Sequence, residues 1–256
     1  LLMYGIPNMK LEKSVVTRRT ELMAELGIAF RLNTDAADPA VAAGLAEEFD
    51  AVVVAAGACA ARGVRAEGFE EGLASGDVVY AVDYLTEQTR ALLEGREPSI
   101  SAVGKDVVVI GGGDTGNDCM GTAVRQGART VRQLEYGPCA PEVRAASNAW
   151  PEWPNVKKTD YGQEEAIALQ GDDLREWCAD TQRVLLGDDG HVRGLQVHSL
   201  DWSAGKPSAV EGSEREIDAQ LVLVACGFAG PERGVFDALG VPVATAGRPL
   251  PVMEGG

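Results

Sequence analysis

The chain has 256 residues, is 45% hydrophobic and carries a formal net charge of −16. That size buries one large core or two modest ones, while the acidic balance, with no basic patch in the sequence, argues against nucleic acid as a partner because a polyanion would be repelled. The longest apolar stretches, such as AVVVAAGACAA from Ala51 to Ala61, fall well short of the roughly 20 residues that a membrane-spanning helix needs.

Taken in chain order, residues Met9 to Leu26 place Leu11, Val15, Val16, Leu22, Met23 and Leu26 at spacings near three and four, which predicts an amphipathic helix stopped by Gly27. IAFRLNTD alternates briefly and reads as a strand. DAADPAVAAGLAEEF reads as a loop, and DAVVVAAG from Asp50 to Gly57 reads as a buried parallel strand ending in a tight turn. After a loop from Gly63 to Gly76, the segment Asp77 to Gly95 predicts a short strand or turn and a helix closed by Gly95. Lys105 to Glu135 predicts strand, glycine turn, helix capped by Gly127, and second strand. NAWPEWPNV is an irregular connection. Later strands are expected from His191 to Leu200 and from Ala219 to Ala225, on either side of a polar hairpin-like region containing Ser203 to Glu214. QLVLVACG, from Gln220 to Gly227, echoes the run from Asp50 to Gly57.

The cysteines, Cys59, Cys119, Cys139, Cys178 and Cys226, are widely spaced and include no CxxC pair. They read as reduced thiols, with neither a zinc site nor a redox-active dithiol. His191 and His198 read as surface or strand-edge residues. No basic leader opens the sequence, so the expected location is the cytoplasm.

Gly111, Gly113 and Gly116 form G-x-G-x-x-G between an apolar strand and a helix. The first glycine permits the tight turn, the second lets a pyrophosphate approach the backbone, and the third lets helix and strand pack closely. The helix N-terminus offers N–H groups and a positive dipole end to the phosphates. Gly112, Asp114 and Thr115 complete the turn, and Thr115 adds a hydroxyl. Glu135, 24 residues after Gly111, closes the second strand where the adenosine ribose lies. Its carboxylate accepts from the 2′ and 3′ hydroxyls and repels a 2′-phosphate, which favours NADH over NADPH. Arg132 and Arg144 lie near enough in sequence to oppose that preference. No catalytic acid or nucleophile is expected.

Several stretches resemble the glutamate synthase small (beta) subunit: LLMYGIPNMKLEKSVVTRR, DAVVVAAGA, VVVIGGGDTGNDCMGTAVRQGARTVRQLE, NAWPEWPNV, DYGQEEAIAL and LVLVACGFAGPE. WPEWP and YGQEEA are the most specific. The resemblance implies an α/β fold in which a Rossmann-like NAD(P)H-binding domain is inserted in a partial FAD-binding domain. On that reading residues 1–76 are partial FAD domain, 77–228 the NAD(P)H domain, and 229–256 a return segment. The resemblance further implies small-residue turns at Gly57 and Gly227 that pass close to a bound dinucleotide. FAD is implied for a full-length parent, with iron–sulfur clusters only in an N-terminal segment not represented in this sequence. The implied partner is the glutamate synthase large subunit or another electron acceptor, with the chain by itself inactive. The sequence departs from the pattern in having no cysteine-rich N-terminus, no first G-x-G-x-x-G for FAD and no terminal GD-containing strand. A flavin reductase subunit of ferredoxin-linked or pyrimidine-linked type, or a non-catalytic nucleotide-binding fragment, remain the alternatives.

Overall fold

A computed structural model describes residues 1–243. In chain order the elements are helices α1 (Lys13–Glu25) and α2 (Pro39–Glu48), strand β1 (Ala60–Ala61), helix α3 (Phe69–Ser75), strand β2 (Val78–Tyr80), helix α4 (Ala81–Glu94), strand β3 (Asp106–Ile110), helix α5 (Asp114–Gln126) and strand β4 (Thr130–Leu134). A long irregular connection leads to helix α6 (Tyr161–Gln170) and strands β5 (Arg175–Glu176), β6 (Ala179–Leu186), β7 (Val192–Asp201), β8 (Ser208–Ala209), β9 (Arg215–Asp218), β10 (Leu221–Val224) and β11 (Phe228–Gly230), then helix α7 (Gly234–Ala238). The chain divides into two compact units. One comprises residues 1–16 and 63–225, the other 17–62 and the segment from Cys226 onward.

The first unit is built on a parallel sheet of order β2–β10–β3–β4–β5. Its inner strands are continuous apolar runs because helices and loops cover both faces. Val107, Val108 and Val109 of β3, and Leu221 to Val224 of β10, are all buried. Tyr84 and Leu85 of α4, with Met120 and Ala123 of α5, complete that core. Both helices stop at a glycine in the left-handed region, Gly95 with φ 64° and Gly127 with φ 90°, as expected of C-terminal caps. Residues at the start of the chain pack on this unit, where Lys10 pairs with Asp118 of α5 at 2.9 Å and the Tyr161 hydroxyl donates to the same carboxylate at 2.8 Å. An antiparallel sheet of β6, β7, β8 and β9 follows α6 and β5. His198 is not at the surface as expected. It is buried on β7, because that strand is covered and paired along its length.

The expected α/β class with a Rossmann-like strand–turn–helix–strand is thus present, and Lys105 to Glu135 folds as read. The second unit holds α2, a two-stranded β1–β11 ladder and α7. DAADPAVAAGLAEEF is not a loop but contains α2. Asp38 caps its N-terminus by accepting from Ala40 N–H at 2.8 Å, and Pro39 occupies the first turn. IAFRLNTD and the run from Asp50 to Gly57, both expected as strands, are irregular and largely exposed, with Val53 at 88%. No strand pairs with either among the described residues, so neither gains a ladder.

Candidate functional site

The glycine turn leaves β3 at Ile110, and its first residue is pinned to the neighbouring strand by Gly111 N–H donating to Leu134 O at 2.8 Å. Gly111 has φ 114°, open to glycine and strained for any other residue. A Cβ on Gly116 would collide with the Gly111 carbonyl and stand 2.8 Å from Gln133 Nε2, whereas a Cβ on Gly113 would meet nothing within 4 Å. The third glycine therefore serves packing, and the second borders open space. No side chain caps the N-terminus of α5, so its leading N–H groups remain available to a ligand.

A cleft of about 260 Å³ opens at this point, lined by Gly112, Gly113, Asp114, Asn117, Gln133 and Glu135 and also by Lys157, Lys158, Arg175 and Trp177. Glu135 sits half-buried at the end of β4. Burial pushes its carboxyl above the ordinary glutamate range, opposed by the hydrogen bond it accepts from Gly112 N–H. The floor is a chain of amides: Gln163 Nε2 donates to Gln133 Oε1 at 3.0 Å, and Gln133 Nε2 donates to Gly111 O at 2.9 Å. Asn117 Oδ1 accepts from Gly162 N–H at 2.9 Å and Gln163 N–H at 3.1 Å, while its buried Nδ2 has no partner.

The structure thus brings Gly111, Gly112, Gly113, Asp114, Thr115, Gly116 and Glu135 to one place in the first unit. Arg144 is not among the residues lining the cleft. Its Nη2 donates to Glu152 O at 2.6 Å and its Nε to Asn148 O. Gly57 and Gly227 belong to the second unit, both in the left-handed region with φ 71° and 76°, and Gly227 O accepts from Arg62 N–H at 2.9 Å. The sequence reading missed Asn117, Gln133, Gln163, Lys157, Lys158, Arg175 and Trp177. The Asp160-x-x-Gln163 capping box that starts α6 was a usable signal; for the lysines, in an irregular segment, there was none.

The fold is similar to that of a solved oxidoreductase. FprA of Mycobacterium tuberculosis superposes with a TM-score of 0.60 over 95% of this chain and 64% of its own, at 16% identity. By sequence the chain is similar to glutamate synthase small chains. It is 42% identical over 249 residues to the glutamate synthase (NADPH) small chain of Bacillus subtilis, covering 94% of this chain and 50% of the relative. It is 41% identical over 256 residues to that of Mycobacterium tuberculosis, covering 97% and 50%, and 40% identical to the glutamate synthase (NADH) of Schizosaccharomyces pombe, covering 91% and 11%. The chain spans about half the length of the bacterial relatives it matches. No protein-family model matches it.

Proposed function

We propose that this chain is the nicotinamide-nucleotide part of an electron-input oxidoreductase, delivering electrons from NAD(P)H to FAD in a longer protein of the glutamate synthase small-chain type. The observation that carries this reading is the uncapped N-terminus of α5 and the open space beside Gly113, sharing one cleft with Glu135. These fit a dinucleotide: the α5 N–H groups hold the pyrophosphate, Glu135 accepts from the ribose hydroxyls, and the orphaned Asn117 Nδ2 offers one further donor. The carboxylate by itself favours NADH. Arg144 donates to Asn148 O and Glu152 O and so braces the loop between them.

A nicotinamide held by these residues would supply an electron pair as hydride. The chain's own residues orient and bind, which suits a transfer that needs positioning more than a protein base. For FAD the described residues of the second unit do not make a cradle, since they contain no second glycine turn between strand and helix. We therefore assign FAD to the longer protein, along with any iron–sulfur cluster and docking to a large subunit or other electron acceptor. Cys59, Cys119, Cys139 and Cys178 are free thiols, which supports a cytoplasmic setting. Among the described residues no helix is long and apolar enough to cross a membrane.

Calorimetric titration of the chain with NADH and NADPH tests the reading, with stoichiometric binding expected; absence of binding of either nucleotide overturns it. The same preparation is expected to show no stoichiometric flavin absorbance, and a yellow, flavin-loaded chain would move the FAD site into these residues.

A further inference from the structure

The peptide between Gly111 and Gly112 is gripped by three consecutive residues at the end of β4. Leu134 O accepts from Gly111 N–H at 2.8 Å, Gln133 Nε2 donates to Gly111 O at 2.9 Å, and the Glu135 carboxyl group accepts from Gly112 N–H. A peptide flanked by two glycines has no Cβ on either side to limit its rotation, so these bonds decide which way its N–H points. The turn is shaped around them. A Cβ on Gly112 would collide with Glu135 Oε1, and one on Gly116 would stand 2.8 Å from Gln133 Nε2.

Gln133 and Gln163 are buried, at 1% and 5% exposure, and a single orientation of their amides pairs every group between them and the backbone. Asp160 N–H can only donate, and it donates to Gln163 Oε1 at 2.9 Å. Gln163 Nε2 is then left to donate to Gln133 Oε1 at 3.0 Å, and Gln133 Nε2 to Gly111 O, which can only accept. Reversing either amide would set like atoms against each other, and an unpaired buried polar group is costly. The outer end of this relay is fixed as well, since Asn117 Oδ1 accepts from Gly162 N–H at 2.9 Å and from Gln163 N–H at 3.1 Å. Docking α6 on β4 does not by itself require the relay: at the last residue of the same helix, Gln170 Oε1 accepts from Val131 N–H, away from the turn.

We propose that Gln133 and Gln163 are positioning residues for the nucleotide: their amide relay sets the peptide between Gly111 and Gly112, and with it the Glu135 carboxyl group, before a dinucleotide arrives. This rests on the reading of the cleft as a dinucleotide site. The test compares Gln133→Met, Gln163→Met and Gln170→Met with the wild-type chain, by calorimetric titration with NADH, by thermal melts, and by hydrogen exchange of the Gly112 amide without nucleotide. In the wild type the Gly112 amide is expected to be protected. Gln133→Met is expected to weaken NADH about tenfold and to speed Gly112 exchange by a similar factor, the scale of a hydrogen bond to a charged group. Gln163→Met should do both to a smaller extent, because Gln133 is then free to reverse. Gln170→Met, which removes a bond between the same helix and strand, should lower the melting temperature and leave NADH affinity and Gly112 exchange as in the wild type. Free exchange of Gly112 in the wild type overturns the proposal. So does wild-type NADH affinity or wild-type Gly112 exchange in a folded Gln133→Met, or in Gln163→Met should the first variant not fold. Equal weakening of NADH in Gln170→Met overturns it too, by reducing the relay to general packing. Absence of NADH binding to the wild type overturns the dinucleotide reading instead, and Gly112 exchange still tests the relay.

Discussion

Two segments of this chain are nearly the same word and fold differently. DAVVVAAG, from Asp50 to Gly57, and QLVLVACG, from Gln220 to Gly227, are each an apolar run ending in a small residue and glycine. The second contains β10, buried from Leu221 to Val224 between β2 and β3. The first is irregular and exposes Val53 at 88%. Both glycines turn into the left-handed region, with φ 71° and 76°, so the local turn chemistry is shared. What differs is the presence of neighbours: a strand is stabilised by ladders on its edges and cover on its faces, and its own sequence supplies neither.

The largest effect should come from charging the two kinds of run. Val109→Asp places an unpaired carboxylate at a site with 0% exposure and is expected to cost about 4 kcal/mol or more, enough to unfold the first unit. Val53→Asp is expected to change stability by less than about 0.5 kcal/mol. Chemical denaturation of both variants measures the contrast. A large loss at Val53 would show that the run from Asp50 to Gly57 is paired in solution.

Next in size is the glycine that borders the ligand. Gly113→Val, at an extended residue with φ −74° and no atom within 4 Å of its Cβ, should leave the fold intact and weaken NAD(P)H binding by about a hundredfold, as the branched side chain fills the pyrophosphate space. Its counterpart Gly57→Ala should cost about 1 kcal/mol for its positive φ and leave nucleotide affinity alone. Calorimetry together with thermal melts separates the two outcomes, and equal nucleotide affinity in Gly113→Val would put the phosphates elsewhere.

A smaller and more selective change is expected at Glu135. Glu135→Gln removes the charge that faces the ribose, so NADH should weaken by about tenfold, the scale of a charged hydrogen bond, while NADPH tightens. Parallel titrations check it; an unchanged ratio of the two affinities would show that the carboxylate does not reach the ribose.

The smallest effect lies at the rim of the first unit, where His191 Nδ1 stands 2.8 Å from Asp77 Oδ2. The hydrogen bond that the ring donates to Asp77, and then the charge of that carboxylate, raise the imidazole above its ordinary value of 6.5. A raised folded value means the contribution is fully present below the unfolded value and lost as pH rises through the folded one. The melting temperature should therefore decline slightly between about pH 6 and about pH 8, with the slope flattened in His191→Gln. A slope unaltered by that substitution would remove the pair from the account.

The sequence was most legible where a local signal decides the structure. Gly127 and Gly95 end helices because the left-handed region is open to glycine, and Gly111 to Gly116 make a turn because only small residues let α5 approach β3. Asp38–Pro39 was an equally local signal for α2, passed over because alanines and glycine give a weak amphipathic pattern. β6 was missed for another reason, since its half-buried face is defined by β7 opposite it and not by its own alternation.

What the sequence determined alone was therefore the strand–turn–helix–strand block with Glu135 at its end, whose geometry follows from backbone sterics within one stretch of chain. Tertiary structure decided which apolar runs become strands, since ladder partners come from distant segments, as with β10 between β2 and β3. It also decided the rest of the cleft's lining. Lys157 and Lys158 stand more than twenty residues from Glu135 in sequence, and the bonds from Lys157 N–H to Pro141 O and from Arg175 to Lys158 O hold both residues at the cleft that the carboxylate lines.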